Sequence, residues 1–220
     1  PGRLTVADLR SDVALLRDRR DTLYVGGPVQ LETVQLLHSL GTGIPGSLHV
    51  VDDVHMGGDP DVVLVYAQSA AESIENSAIS SATPALLAAS IVGVERFYDT
   101  TAVSPELFLG TRVELDEGES NRLGLVRGVT NTAPLVRRQA RISEGSWPGA
   151  GEILVGRLAY AKIGCEPERL AVGRQVTFEG RDWTISGQFC AEGSAFDSEF
   201  WCRLPDFQQA LKRQDLSLVS

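Results

Sequence analysis

The sequence predicts an α+β fold, with mixed sheets and a few short helices. Three observations lead there. Short segments rich in β-branched and aromatic residues recur along the chain, as in "DVVLVYA" at 61–67 and "LFLGTRVEL" at 107–115. "RQVTFEGRDWTISGQF" at 174–189 alternates polar and apolar residues on both sides of a Glu-Gly turn, which marks a hairpin. Helical spacing is confined to short stretches such as "TPALLAAS" at 83–90 and "PDFQQAL" at 205–211.

Taken in order, Thr5–Leu16 is expected to be helical, because Thr5 can cap it and Leu9, Val13 and Leu16 share one face. "TLYV" at 22–25 is a short strand stopped by Gly26-Gly27-Pro28. "VQLETVQLLHSLG" fits a helix through Leu31, Val34, Leu37 and Leu40, yet Thr33–Leu37 also fits a strand. Ser47–His55 is expected to be a strand, and Asp61–Ala67 a buried one. Thr83 and Pro84 are expected to cap and open a helix running to about Ile91. Strands follow at Val94–Tyr98, Leu107–Leu115 and Leu123–Val129, then a short helix at Thr132–Arg138. "GEILVGRLAYAKIG" is a strand leading into a helix that Gly164 terminates. "SEFWCRL" is a strand, and Pro205 opens a last helix with Phe207, Ala210 and Leu211 on its apolar side.

Composition limits the function. The chain has 220 residues and a formal net charge of −9. Residues 1–59 hold 5 basic and 8 acidic side chains, and residues 60–220 hold 15 and 21. Neither part is basic, so no nucleic-acid partner is expected and an anionic membrane surface is disfavoured. No apolar run approaches the roughly 20 residues of a membrane helix. There is no signal peptide and no initiator Met, so Pro1 and Ser220 are read as cuts inside longer sequences.

The three cysteines, Cys165, Cys190 and Cys202, show no CxxC spacing. Cys190 and Cys202 flank a turn-rich loop and would close a disulfide if their strands paired. Burial as small apolar residues is the preferred reading. Trp147, Trp183 and Trp201 are read as core or rim anchors.

No catalytic, cofactor-binding or metal-binding set is assigned. The best metal candidate is His49, Asp53 and His55, which share a face of the Ser47–His55 strand. Residues of a solvated strand face are the competing reading, and no Cys or HExxH spacing joins them. Gly26-Gly27-Pro28 and Gly57-Gly58 lack the Lys and the spacing of phosphate loops. Glu72, Glu75, Glu192, Asp197 and Glu199 are read as solvated loop carboxylates, and Arg127 with Glu144 as a structural pair. A binding, coupling or structural module is expected, not an enzyme.

Two resemblances divide the chain near Asp59–Asp61. "RLTVADL", "LYVGGPV", "LLHSLG" and "VVDDVHMGGD" in residues 1–59 resemble the middle of the bacterial AlgH/YqgE family. That resemblance implies an incomplete α/β segment of a family without a settled activity and a cytoplasmic location. It also implies a strand at Val34–His38. "DVVLVYAQSA", "SPELFLG", "LGLVRGV", "ISEGSWPGAGEILVGRLAYAKIG", "VGRQVTFEGRDWTISGQF" and "GSAFDSEFWCRL" in residues 60–220 resemble the MacB-like periplasmic core domain of MacB/FtsX-type ABC transporter permeases.

The second resemblance implies a non-enzymatic, extracytoplasmic transport domain at the inner membrane, without cofactors. It would couple ATP-driven membrane motion to a substrate or partner outside. Its implied partners are the permease's own membrane helices, a cytoplasmic ATPase and a periplasmic protein. The alternative is an AlgH/YqgE-like protein of unknown function, with a regulatory role as one reading.

Overall fold

The computed structural model describes residues 62–67, 70, 73–92, 94–115, 122–191 and 193–220, the side chains of 90 and 92 excepted, and the backbone of 4–5, 25–26 and 48–52. The fold is α+β, a large mixed sheet with short helices. In chain order the first strands are β1 (Leu4–Thr5), β2 (Val25–Gly26), β3 (Leu48–Asp52) and β4 (Val63–Ala67). Helix α1 (Thr83–Ser90) leads into β5 (Ile91–Val92), and β6 (Arg96–Phe97) forms a small hairpin with β7 (Thr100–Thr101). Then come β8 (Pro105–Val113), β9 (Arg122–Val129), α2 (Ala133–Val136), β10 (Arg141–Gly145), β11 (Glu152–Gly156) and α3 (Ala159–Ile163). The chain finishes with β12 (Gln175–Phe178), β13 (Arg181–Cys190), β14 (Glu199–Arg203), α4 (Leu204–Leu211) and β15 (Leu218–Val219).

Among the described residues eleven strands form the main sheet, in the order β10-β13-β11-β14-β9-β8-β15-β4-β3-β2, with β12 also on β13. The long β13 holds β12 along its first half and β10 along its second. Glu114, just past β8, exchanges two backbone hydrogen bonds with Thr177 of β12, at 2.8 and 2.9 Å. That contact joins β8, β9, β14, β11, β13 and β12 into a closed ring.

Strand alternation sorts side chains to the two faces of this ring. Inside lie Val113, Val126, Ile153, Val155, Val176, Phe178, Trp183, Ile185, Phe200 and Cys202. Trp183 stacks on Phe178 with ring centroids 4.8 Å apart. Outside lies a second apolar layer made by Val129, Leu154, Phe189, Phe196 and Trp201.

Several expectations meet the structure directly. The hairpin turn falls at Glu179-Gly180, both at positive φ (51° and 68°). Such a primed turn matches the strand twist, at some strain for Glu. Helix α3 ends on Gly164 at φ 70°. Helix α4 carries Pro205 in its first turn and buries Phe207. Thr83, by contrast, is not a cap: Ala82 holds that place without a side-chain bond, and Thr83 Oγ1 is buried inside the first turn.

The three cysteines are free. Strand β11 lies between the strands of Cys190 and Cys202, so these two never face one another. The Thr5–Leu16 helix, the 31–40 segment and the Val34–His38 strand fall outside the described residues, apart from Thr5, which pairs in β1 with Val92. Among the described residues no helix is long and apolar enough to cross a membrane.

The strands on either side of residues 53–61 belong to one sheet. Strand β3 pairs antiparallel with β4, from Leu48 opposite Ala67 to Asp52 opposite Val63. Strand β15 flanks β4 on its other side, with Leu218 opposite Tyr66 and Val219 opposite Val65. The start of β4 and the end of β15 therefore lie side by side.

Candidate functional site: a buried arginine–glutamate cluster

Three charged residues come from the outer face of neighbouring strands. Glu106 is on β8, Arg127 on β9 and Glu199 on β14. In register, Phe108 sits opposite Arg127, and Trp201 sits beside it on the parallel partner. A fourth charge, Arg137, is the residue that ends α2. All four are almost fully buried.

The geometry satisfies them mutually. Arg127 donates Nε and Nη2 to the two oxygens of Glu199, both at 2.7 Å, a bidentate fork. Its Nη1 donates to Glu106 Oε2 at 2.6 Å. Arg137 donates Nε and Nη2 to the two Glu106 oxygens at 3.1 and 3.2 Å. Ser220 Oγ donates to Glu106 Oε1 at 2.8 Å, and the Trp201 indole N–H donates to Glu199 Oε2 at 2.7 Å. Aromatic rings close the cage: Phe108 and Phe196 face the Arg127 guanidinium at 4.7 and 5.1 Å, and Phe196 faces Arg137 at 4.9 Å.

Burial alone would raise the Glu106 carboxyl. The charges of Arg137 and Arg127 outweigh it and hold Glu106 down to about 2. Burial works against the Arg127 charge, but Glu199 and Glu106 prevail and push its proton affinity up. The cluster thus sets two arginines against two glutamates, buried and hydrogen-bonded to one another. Such a group adds little net stability over an apolar core, yet removing one member leaves an uncompensated buried charge. Its clearest physical effect is to fix the mutual placement of β8, β9, α2 and β14.

A second buried carboxylate lies nearby. Asp197 accepts from the Ala191 N–H at 2.5 Å and from Arg157 Nε at 3.1 Å, tying the 191–197 loop to the end of β11.

These placements correct three sequence expectations. Glu199 and Asp197 are buried and ion-paired, not solvated. Arg127 pairs with Glu199 and Glu106, whereas Glu144 lies exposed on β10. Glu75 is half-buried and accepts from the Gly110 N–H. Trp183 and Trp201 are core residues and Trp147 is half-buried. Glu72, Glu192, Asp53, His55 and the His49 side chain lie outside the described residues, so the metal candidate is not placed. Among the described residues no three His, Cys, Asp or Glu side chains form a metal-ligating group.

Comparison with known proteins finds a family match and a set of similar solved structures. Residues 1–80 match the AlgH-like family (DUF179). A UPF0301 protein of Chlorobium limicola is 43% identical over 49 residues, 22% of this chain and 26% of its own. Another, from Pelodictyon phaeoclathratiforme, is 46% identical over 39 residues, 18% and 21% of the two chains. The chain thus spans about a quarter of the length of these curated relatives. The matched family region extends beyond Asp59 and includes β4.

Among solved structures, the chain is similar to the extracellular domain of the noncanonic ABC-type transporter YknZ from Gram-positive bacteria. That similarity has TM-score 0.44 and 13% identity, over 53% of this chain and 62% of that one. The periplasmic region of MacB from Actinobacillus actinomycetemcomitans gives TM-score 0.43 and 11% identity, over 53% and 55%. A domain of a permease protein from Porphyromonas gingivalis gives 0.43 and 13%, over 60% and 61%.

Proposed function

We propose that residues 60–220 are a non-enzymatic, extracytoplasmic domain of a FtsX/MacB-type ABC permease. It couples ATP-driven motion of membrane helices to the handling of a substrate or partner outside. One observation carries the reading. The segments that resemble that family, "SPELFLG", "LGLVRGV" and "DSEFWCRL", each supply one charge of the buried cluster: Glu106, Arg127 and Glu199. The resemblance therefore converges on one physical feature, a rigid junction between strands far apart in sequence.

A second reading, an AlgH-like protein of unknown function, is favoured by the family match over residues 1–80 and by the pairing of β3 with β4. The two readings place the chain on opposite sides of the membrane. Tyr98 is fully exposed at the β6–β7 turn. A Tyr98→Cys variant, made at the native locus with Cys165 and Cys190 changed to Ser, is treated in intact cells with a maleimide that cannot cross the inner membrane. Labelling supports the extracytoplasmic domain. Labelling that requires lysis overturns it in favour of the AlgH-like reading.

A further inference from the structure

We propose that the outer edge of β10 is a self-association surface, on which β10 of a second copy pairs antiparallel. The inference is independent of the transporter reading. Strand β10 ends the main sheet: it pairs with β13 along one side, and among the described residues nothing pairs with the other. In an antiparallel pair the strand's backbone hydrogen-bonding groups alternate in direction, so part of the β10 ladder faces outward. All five of its residues are exposed, Ile142 among them.

The order of charges selects the occupant. Arg141 and Glu144 form no ion pair among the described residues, although they lie on one short strand. A two-fold axis between Ile142 and Ser143 sets Arg141 of each copy opposite Glu144 of the other. It also sets Ile142 opposite Ser143. Both ends of the strand then carry unlike charges directly across the pair, which stabilises antiparallel pairing. An in-register parallel arrangement instead opposes like charges and is disfavoured. The register shift between Ile142 and Glu144 on β13 breaks the regularity of this edge. Bulges of this kind discourage indiscriminate strand addition. The pairing is accordingly short, and the dimer weak and concentration-dependent.

The test is sedimentation velocity of the full chain at low ionic strength over rising concentration. The expected result is a mass that moves from 23.7 kDa toward twice that value. Arg141→Glu and Glu144→Arg, both on exposed positions, should each weaken association about tenfold or more. Their equimolar mixture should restore it, because the swapped charges again face opposite ones. A wild-type chain that stays monomeric throughout overturns the proposal. So do charge variants that associate like wild type, or a mixture no better than either variant alone.

Discussion

Replacing Glu106 by Gln tests whether the buried cluster behaves as a single electrostatic unit. The substitution keeps the shape and the acceptor for Ser220, but it leaves Arg127 and Arg137 with one carboxylate, Glu199, between them. Removing one partner from a buried ion pair costs about 3–5 kcal/mol. For a chain of this size that corresponds to a drop of about 10 °C in Tm. Arg137→Met alone should also destabilise, since Glu106 and Glu199 then share one cation. The double variant restores charge balance around the bidentate Arg127–Glu199 pair. It should therefore be more stable than the sum of the single losses predicts, by about 2 kcal/mol. Urea unfolding followed by tryptophan fluorescence reads this, because Trp201 donates directly to Glu199. A loss under about 1 kcal/mol for Glu106→Gln, or strict additivity in the double variant, would refute the reasoning.

Other outcomes follow from the same structure. The folded Glu106 carboxyl titrates at about 2, against an ordinary 4.5. Its contribution of about 3 kcal/mol is therefore complete above pH 5 and lost as pH falls toward 2, and Glu106→Gln should flatten that acid limb of a stability–pH curve. Gly156→Ala should destabilise by more than about 2 kcal/mol in chemical denaturation, because the new methyl would lie 2.4 Å from the Asp197 carbonyl oxygen. A wild-type-like midpoint would show that the 191–197 loop yields easily. If residues 60–220 form a unit of their own, a truncation to residues 61–220 should keep its circular dichroism and unfold cooperatively. Collapse of that fragment would show that β3, which pairs with β4, is integral to the C-terminal sheet.

The strands were the most legible part of the sequence, and the charged cluster the least. Alternation in "RQVTFEGRDWTISGQF" specifies two strands, one turn and the buried set Val176, Phe178, Trp183 and Ile185 without any tertiary information. Gly164 and Pro205 mark helix boundaries for local steric reasons and are found there. Thr83 failed as a cap because the helix begins one residue earlier, a distinction that propensity does not resolve. Glu199 and Asp197 were misread because a carboxylate is solvated by default, and only a partner far away in sequence changes that. Arg127 and Glu199 are separated by 72 positions. A signal was nevertheless present: Glu106, Arg127 and Glu199 all sit inside apolar strands, in phase with Phe108, Val129 and Trp201. A charge on an otherwise buried strand face requires a counter-charge, although sequence alone does not say which.

Strand β15 has a consequence for how the chain reaches its native state. It follows both β4 and β8 in the chain, yet it lies between them in the sheet. Until Leu218 and Val219 dock, β4 and β8 have no strand between them, and each presents an unsatisfied edge. Closing that gap brings together residues about 150 positions apart, so the loop entropy is lost before the pairing energy is gained. Folding should therefore be slow, with the interval before β15 docks as the period of greatest susceptibility to aggregation.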